Sequence, residues 1–121
     1  MKYLMFLRSP ESFRDQTPPA ALMDAIGAFI ARSKQAGTLV STGGLSPSKA
    51  GLLMRSRRGK LVTTDGPFTE TKEIIGGWAI VETPTRGAAI TIATEFMDLH
   101  AKHWPEFECE SEVRPIEFYD A

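Results

Sequence analysis

The fold is decided at the amino end, where residues 1–8 read MKYLMFLR. In a strand these apolar side chains alternate between two faces, with Tyr3, Met5 and Leu7 on one and Leu4 and Phe6 on the other. Residues 78–81, WAIV, show the same double-sided apolar pattern. Strands that are apolar on both faces are typical of the buried centre of a sheet. We therefore predict that these two segments are the central strands.

Two longer segments predict helices. The first follows Thr17-Pro18-Pro19, a cap followed by prolines, and carries apolar residues at helical spacing until Gly37. The second follows Thr83-Pro84 and ends before Trp104-Pro105, although several of its residues are β-branched. Shorter strands are predicted at 39–42, where Gly43-Gly44 would break the strand, at 52–57 and 60–64 as a hairpin, and at 108–116.

This order of elements predicts an α+β ferredoxin-like sandwich, an antiparallel sheet with two helices on one face. In that topology the first strand and the strand at 77–82 are central. Two helices cover only one face of the sheet, so the second apolar face needs a partner. A second copy of the chain, stacked sheet on sheet, is the simplest partner, and we expect a homodimer.

Composition restricts the class of protein. The chain has 121 residues, 42% of them hydrophobic and 24% charged, which predicts a single domain over residues 1–121. The net charge of -1 argues against nucleic acid as a partner, because binding to phosphates normally needs a basic excess. The sequence contains no export signal or membrane-spanning run, so we expect a cytoplasmic protein with no membrane partner.

One motif is specific. Residues 65–73 read DGPFTETKE and are followed by Gly76-Gly77-Trp78. With this motif the chain resembles the DGPF-domain branch of the YCII-related proteins, from Met1-Lys2-Tyr3 to Arg114-Pro115-Ile116. The resemblance implies a dimeric α+β barrel built on the ferredoxin-like fold. It also implies an extracytoplasmic-function sigma factor as a candidate protein partner.

Some proteins that resemble this chain carry a His and Asp pair proposed as an active site, with the His on the first helix. This chain has no His between Pro18 and Gly37, so only Asp65 is carried over as a candidate catalytic acid or base. A stiff turn, in which Gly66 supplies unusual backbone angles and Pro67 fixes its own φ, would hold this carboxylate in place. The candidate ligand-binding residues are Arg55, Phe68, Glu70, Lys72 and Glu73. The structural alternative is that Asp65 hydrogen-bonds its own turn and that the neighbouring charges are solvated.

Other candidates are weaker. His100 and His103 are three residues apart on a predicted helix, but a third metal ligand at suitable spacing is missing, and we expect no metal and no cofactor. Cys109 faces the apolar set of its strand and is predicted to be a buried thiol.

Two classes of function therefore remain open. One is a small-molecule site, with or without catalysis, in which Asp65 acts as the acid or base and Arg55 or Lys72 orients an anionic group. The other is a non-enzymatic accessory or regulatory protein that acts through a protein partner such as the sigma factor. Fold class cannot separate them, because this architecture carries unrelated chemistries.

Overall fold

A computed structural model describes residues 1–67 and 73–118 of the chain. Its regular elements are β1 (Lys2–Ser9), α1 (Ala20–Gln35), β2 (Leu39–Gly44), β3 (Leu52–Arg57), β4 (Lys60–Asp65), β5 (Ile74–Glu82), α2 (Arg86–His103) and β6 (Glu110–Pro115). Short 3-10 helices lie at Glu11–Asp15 and Ser48–Ala50. The fold is α+β, as predicted.

Four strands form one antiparallel sheet in the order β2-β5-β1-β6. The prediction that β1 and β5 are central is confirmed, and the order is consistent with a ferredoxin-like fold. The last strand, β6, is at an edge, where Pro115 at its end removes no hydrogen bond from a sheet interior.

The core lies between this sheet and the helices. Tyr3 and Met5 of β1 and Val81 of β5 are buried against Ala89 and Ala93 of α2. Small residues on the helix let its backbone approach the sheet, while large residues of the strands fill the layer between them. The odd-numbered positions of β1 therefore face the helices.

The even-numbered positions face the other way. Leu4 pairs across the sheet with Ile80, and Phe6 pairs with Trp78. Directly opposed residues of an antiparallel pair share one face, so these four side chains form one apolar surface, called here the open sheet face. All four are partly exposed.

The sequence placed the strands and helices well but misjudged some of their ends. We predicted that Gly43-Gly44 would break β2, yet the strand continues to Gly44. Gly43 pairs with Trp78, and a β-carbon at position 43 would lie 3.0 Å from the Trp78 indole nitrogen, so glycine makes room for the ring. Both helices also begin two residues later than predicted. Pro19 rather than Thr17 precedes α1, and Thr85 rather than Thr83 caps α2.

The remaining strands, β3 and β4, form the predicted hairpin as a separate two-stranded sheet. Its turn, Arg58-Gly59, has positive φ at both residues, which is typical of a tight type I′ connection. Nearly every residue of both strands is exposed. The hairpin therefore projects from the body of the protein.

Candidate functional site

The D-G-P turn docks on the segment that joins β2 to the hairpin. Asp65, the last residue of β4, pairs with Leu52 and is exposed. The next residue, Gly66, donates its amide to the Gly51 carbonyl at 3.0 Å. A cis peptide bond joins Gly66 to Pro67. The motif thus fixes the far end of the hairpin onto the residues before its first strand.

Gly66 is needed here because of space rather than unusual dihedral angles. We predicted that it would supply backbone angles other residues avoid, but the positive-φ glycines among the described residues are Gly37 and Gly59. A β-carbon at position 66 would instead lie 1.6 Å from the Ser48 carbonyl oxygen. No side chain fits between the two backbones.

A cavity of about 540 Å³ lies beside this contact. Its walls are formed by most of segment 45–52 on one side and residues 73–75 on the other. The lining is largely apolar, and its polar side chains are Ser46, Ser48 and Glu73. Size and composition match those of small-molecule sites, which are mostly apolar with a few placed polar groups.

Ser48 is held at the cavity by Glu11. The Glu11 carboxylate accepts the Ser48 backbone N–H at 2.7 Å and also accepts the Ser48 hydroxyl proton. Ser48 is buried, and Glu11 belongs to the short 3-10 helix that follows β1. No periodic pattern or motif predicts this contact, because residues 37 positions apart meet only in the folded chain.

Charged side chains gather at the Glu73 end of the cavity. Arg8 of β1 bonds Glu112 at 2.6 Å and lies 4.0 Å from Glu110, both on β6. The neighbouring Glu110 carboxylate, through a hydrogen bond and then its charge, together with partial desolvation, raises the pKa of Glu73. When protonated, Glu73 donates to Glu110. One carboxyl group that lines the cavity is thus biased towards its acid form.

The Glu112 carboxyl is instead favoured in its ionised form. Its hydrogen bond and charge interaction with the Arg8 guanidinium lower the pKa of that carboxyl, so it stays ionised. The acidic series Glu106, Glu108, Glu110 and Glu112 predicts partners in the basic cluster of Arg55, Arg57, Arg58 and Lys60, whereas the structure pairs Glu112 with Arg8. The adjacency of first and last strands was predictable from the topology, whereas the register that brings Arg8 beside Glu110 and Glu112 was not.

The structure brings two of the predicted site residues to this region. Glu73 lines the cavity, and Asp65 pairs with Leu52, which also lines it. Arg55 lies further along the hairpin, opposite Val62 and exposed. Phe68, Glu70 and Lys72 lie outside the described residues, so their placement in the site stays a prediction.

The weaker candidates are located elsewhere. His100 is 4% exposed, its Nδ1 lies 2.9 Å from the Phe96 carbonyl, and burial lowers its pKa. Its ring packs among aromatic side chains, including those of Phe96 and Phe107. Cys109 is half-buried rather than fully buried, because it precedes the first residue of β6. Desolvation still raises the pKa of its thiol. Within residues 1–67 and 73–118, no group of three or more His, Cys, Asp or Glu side chains is arranged to hold a metal ion.

The helices of the described part are too short or too polar to cross a membrane.

The two helices and the four-stranded antiparallel sheet are consistent with a ferredoxin-like α+β domain, with the hairpin inserted between β2 and β5. The YCII-related domain matches this chain over residues 1–102, and the chain belongs to that family. A comparison with curated proteins found no match.

Proposed function

We propose that the protein binds a small polar molecule in the cavity between segment 45–52 and residues 73–75, and that Glu73 serves there as a proton donor or acceptor. The observation that carries this proposal is the cavity itself, about 540 Å³ in volume and walled by the segment on which the D-G-P turn docks. Ligand sites commonly have volumes of roughly 300–1,000 Å³. The D-G-P motif therefore contacts, through the backbone of Gly66, the same segment that forms one wall of the cavity.

Glu73 suits a ligand that offers a carbonyl or hydroxyl group. A carboxyl whose pKa is raised is available as an acid nearer neutral pH than a solvated carboxyl, and after it releases the proton it can act as a base. Glu110 is positioned to accept a hydrogen bond from it. Asp65 remains the second candidate acid or base, at the hairpin end of the same region. Arg55 is the candidate for attracting an anionic group.

We further propose that the chain belongs to the DGPF branch of its family and works as a homodimer in the form of an α+β barrel. The D-G-P-F motif supports the branch. Support for the dimer comes from the open sheet face, where Leu4, Phe6, Trp78 and Ile80 are partly exposed although they lie on the two central strands. Stacking two such faces would remove four large apolar side chains per chain from water.

A thermal-shift screen against a library of small metabolites tests the ligand site. A ligand present at about 100 times its Kd stabilises the native state by about 2.7 kcal/mol, which raises Tm by several degrees. We expect Glu73→Gln to reduce the shift produced by a ligand that exchanges a proton with Glu73 on binding, because Gln keeps a donor towards Glu110 but can neither release nor accept that proton. Asp65→Asn tests the second carboxylate in the same way.

Asp98→Asn is the matched control, since Asp98 is an exposed carboxylate on α2, an element that does not line the cavity. This variant should keep the full ligand-induced shift. If a ligand raises the Tm of Glu73→Gln and of Asp65→Asn as much as it raises the Tm of the wild type, the proposed ligand site is wrong. A chain that no metabolite stabilises, but that binds an extracytoplasmic-function sigma factor, would favour the accessory class instead.

A further inference from the structure

The β3–β4 hairpin has two chemically distinct faces. In its register, the side called here the apolar hairpin face carries Leu52, Met54 and Leu61 together with Ser56, Thr63 and Asp65. The other side, called the basic hairpin face, carries Arg55, Arg57 and Lys60 together with Leu53, Val62 and Thr64. The basic side chains of the two strands thus all lie on one side, and most of the large exposed apolar side chains lie on the other.

The apolar hairpin face is nevertheless exposed. Leu52, Met54 and Leu61 are exposed by 52%, 56% and 65%. Neither hairpin strand packs closely against a helix or a strand of the four-stranded sheet. A two-stranded hairpin alone in water is at best marginally stable, and here its turn also holds Arg58 in the left-handed region. Within residues 1–67 and 73–118, the hairpin therefore exposes large apolar side chains that no helix or strand of the four-stranded sheet covers.

The same chain offers a surface of the complementary kind. The open sheet face is apolar at its centre, and beside it Glu110 and Glu112 lie along edge strand β6. The Glu110 side chain is 59% exposed, so its charge is accessible. The turn and end of the hairpin carry Arg57, Arg58 and Lys60, which are exposed and opposite in sign. Apolar surface and charge thus both match a second copy of this chain.

We propose that the hairpin is an intersubunit arm, whose apolar face packs against the second copy beside the stacked open sheet faces while its basic end approaches that copy's β6 edge. This inference rests on the homodimer proposed above and names the element that crosses between the chains. A two-fold axis makes the exchange mutual, because each chain supplies one hairpin and one open sheet face. The stacked sheet faces and the two arms together would bury the exposed apolar side chains of both surfaces.

Two adjacent residues provide a matched test. Leu61 lies on the apolar hairpin face and Val62 on the opposite one, and both are exposed within the chain, at 65% and 52%. We expect Leu61→Asp to weaken dimerisation at least about tenfold, since it places a charge in the interface. We expect Val62→Asp to leave the dimer dissociation constant within about threefold. Sedimentation equilibrium of the full chain over a concentration series measures both, and circular dichroism verifies that each variant is folded.

Ile80→Asp tests the dimer itself, independently of the arm. Ile80 is on the open sheet face, so this variant should become monomeric if the faces meet at all. If Ile80→Asp dissociates the dimer and Leu61→Asp does not, the arm is wrong and the dimer stands. If the wild type has the mass of one 13.3 kDa chain at every concentration, both are wrong.

Hydrogen exchange gives a second measurement. Amides of β3 and β4 should become more protected as the protein is concentrated from monomer to dimer, because the arm is then covered. A hairpin whose exchange is independent of concentration would overturn the proposal. So would a hairpin that binds phosphatidylserine vesicles through Leu61 while the dimer constant is unchanged by Leu61→Asp.

Discussion

Gly66 packs its α-carbon against the Ser48 carbonyl, and a β-carbon there would lie 1.6 Å from the oxygen. Ser48 is also the residue that Glu11 holds at the cavity. The glycine of the motif therefore supports the shape of the candidate site through a backbone contact. This is a packing role, distinct from the turn conformation that the sequence suggested.

We predict that Gly66→Ala destabilises the protein by about 1–3 kcal/mol, because one of the two backbones must move to admit a methyl group. Urea denaturation measures the loss. The displaced segment also forms a cavity wall, so ligand-induced thermal shifts should be lost together with stability.

Gly27→Ala is the control of opposite sign. Gly27 lies inside α1, and a β-carbon there meets nothing within 4 Å. In a helix this change stabilises by about 0.5–1 kcal/mol. If Gly66→Ala changes the free energy of unfolding as little as Gly27→Ala does, position 66 has room for a side chain and the described contact is wrong.

The candidate site shows what a sequence can and cannot supply at this scale. Asp65 and Glu73 could be selected from the sequence because they are the first and last residues of one uninterrupted motif. Glu11 and Arg8 could not, since their partners Ser48 and Glu112 are distant in the chain and are brought close only by tertiary packing. Long-range register is the missing information, and local patterns do not contain it.

At the scale of elements, helix α2 begins with a side-chain cap that the sequence placed two residues too early. Thr85 Oγ1 accepts the Ala88 amide at 3.2 Å, while the Thr83 hydroxyl bonds the Thr85 carbonyl. The β-branched residues inside the helix are accommodated, since Thr91 and Thr94 donate their hydroxyls to carbonyls one turn earlier. The helix and both central strands were predictable because their apolar periodicity is long and unbroken.

We predict that Thr85→Ala lowers the free energy of unfolding by about 1 kcal/mol, the usual cost of losing an N-cap. Thr17→Ala should be nearly silent, because Pro19 occupies the cap position of α1 and no side chain caps it. Thermal denaturation of the two variants measures the difference. A Thr17 variant as unstable as the Thr85 variant would show that α1 begins earlier than described.

For the whole molecule, the buried His100 predicts how stability changes with acidity. Desolvation lowers its pKa below the ordinary 6.5, so between the lowered value and 6.5 the unfolded chain binds more protons than the folded one. Stability therefore rises with pH through this window and is lost as the pH falls through it. Glu73 acts in the opposite sense above pH 4.5, because its raised pKa makes the folded chain bind more protons there.

We predict that His100→Leu flattens the rise of unfolding free energy as the pH increases towards 6.5, since Leu neither titrates nor needs a polar partner. Urea denaturation at a series of pH values measures the slope. His103→Leu, at the partly exposed last residue of α2, should keep the wild-type slope. If both variants keep that slope, the acid sensitivity comes from other groups.

The chain leaves the four-stranded sheet and returns to it at one place, because the Leu45 amide bonds the Gly76 carbonyl at 2.9 Å. Residues 46–67, which include the hairpin and one wall of the cavity, form an excursion from a point where β2 and β5 already lie side by side. Natural insertions and deletions in this segment would leave the scaffold intact, since a short turn suffices to join two adjacent antiparallel strands. The length of this excursion is therefore the feature to compare among members of the family.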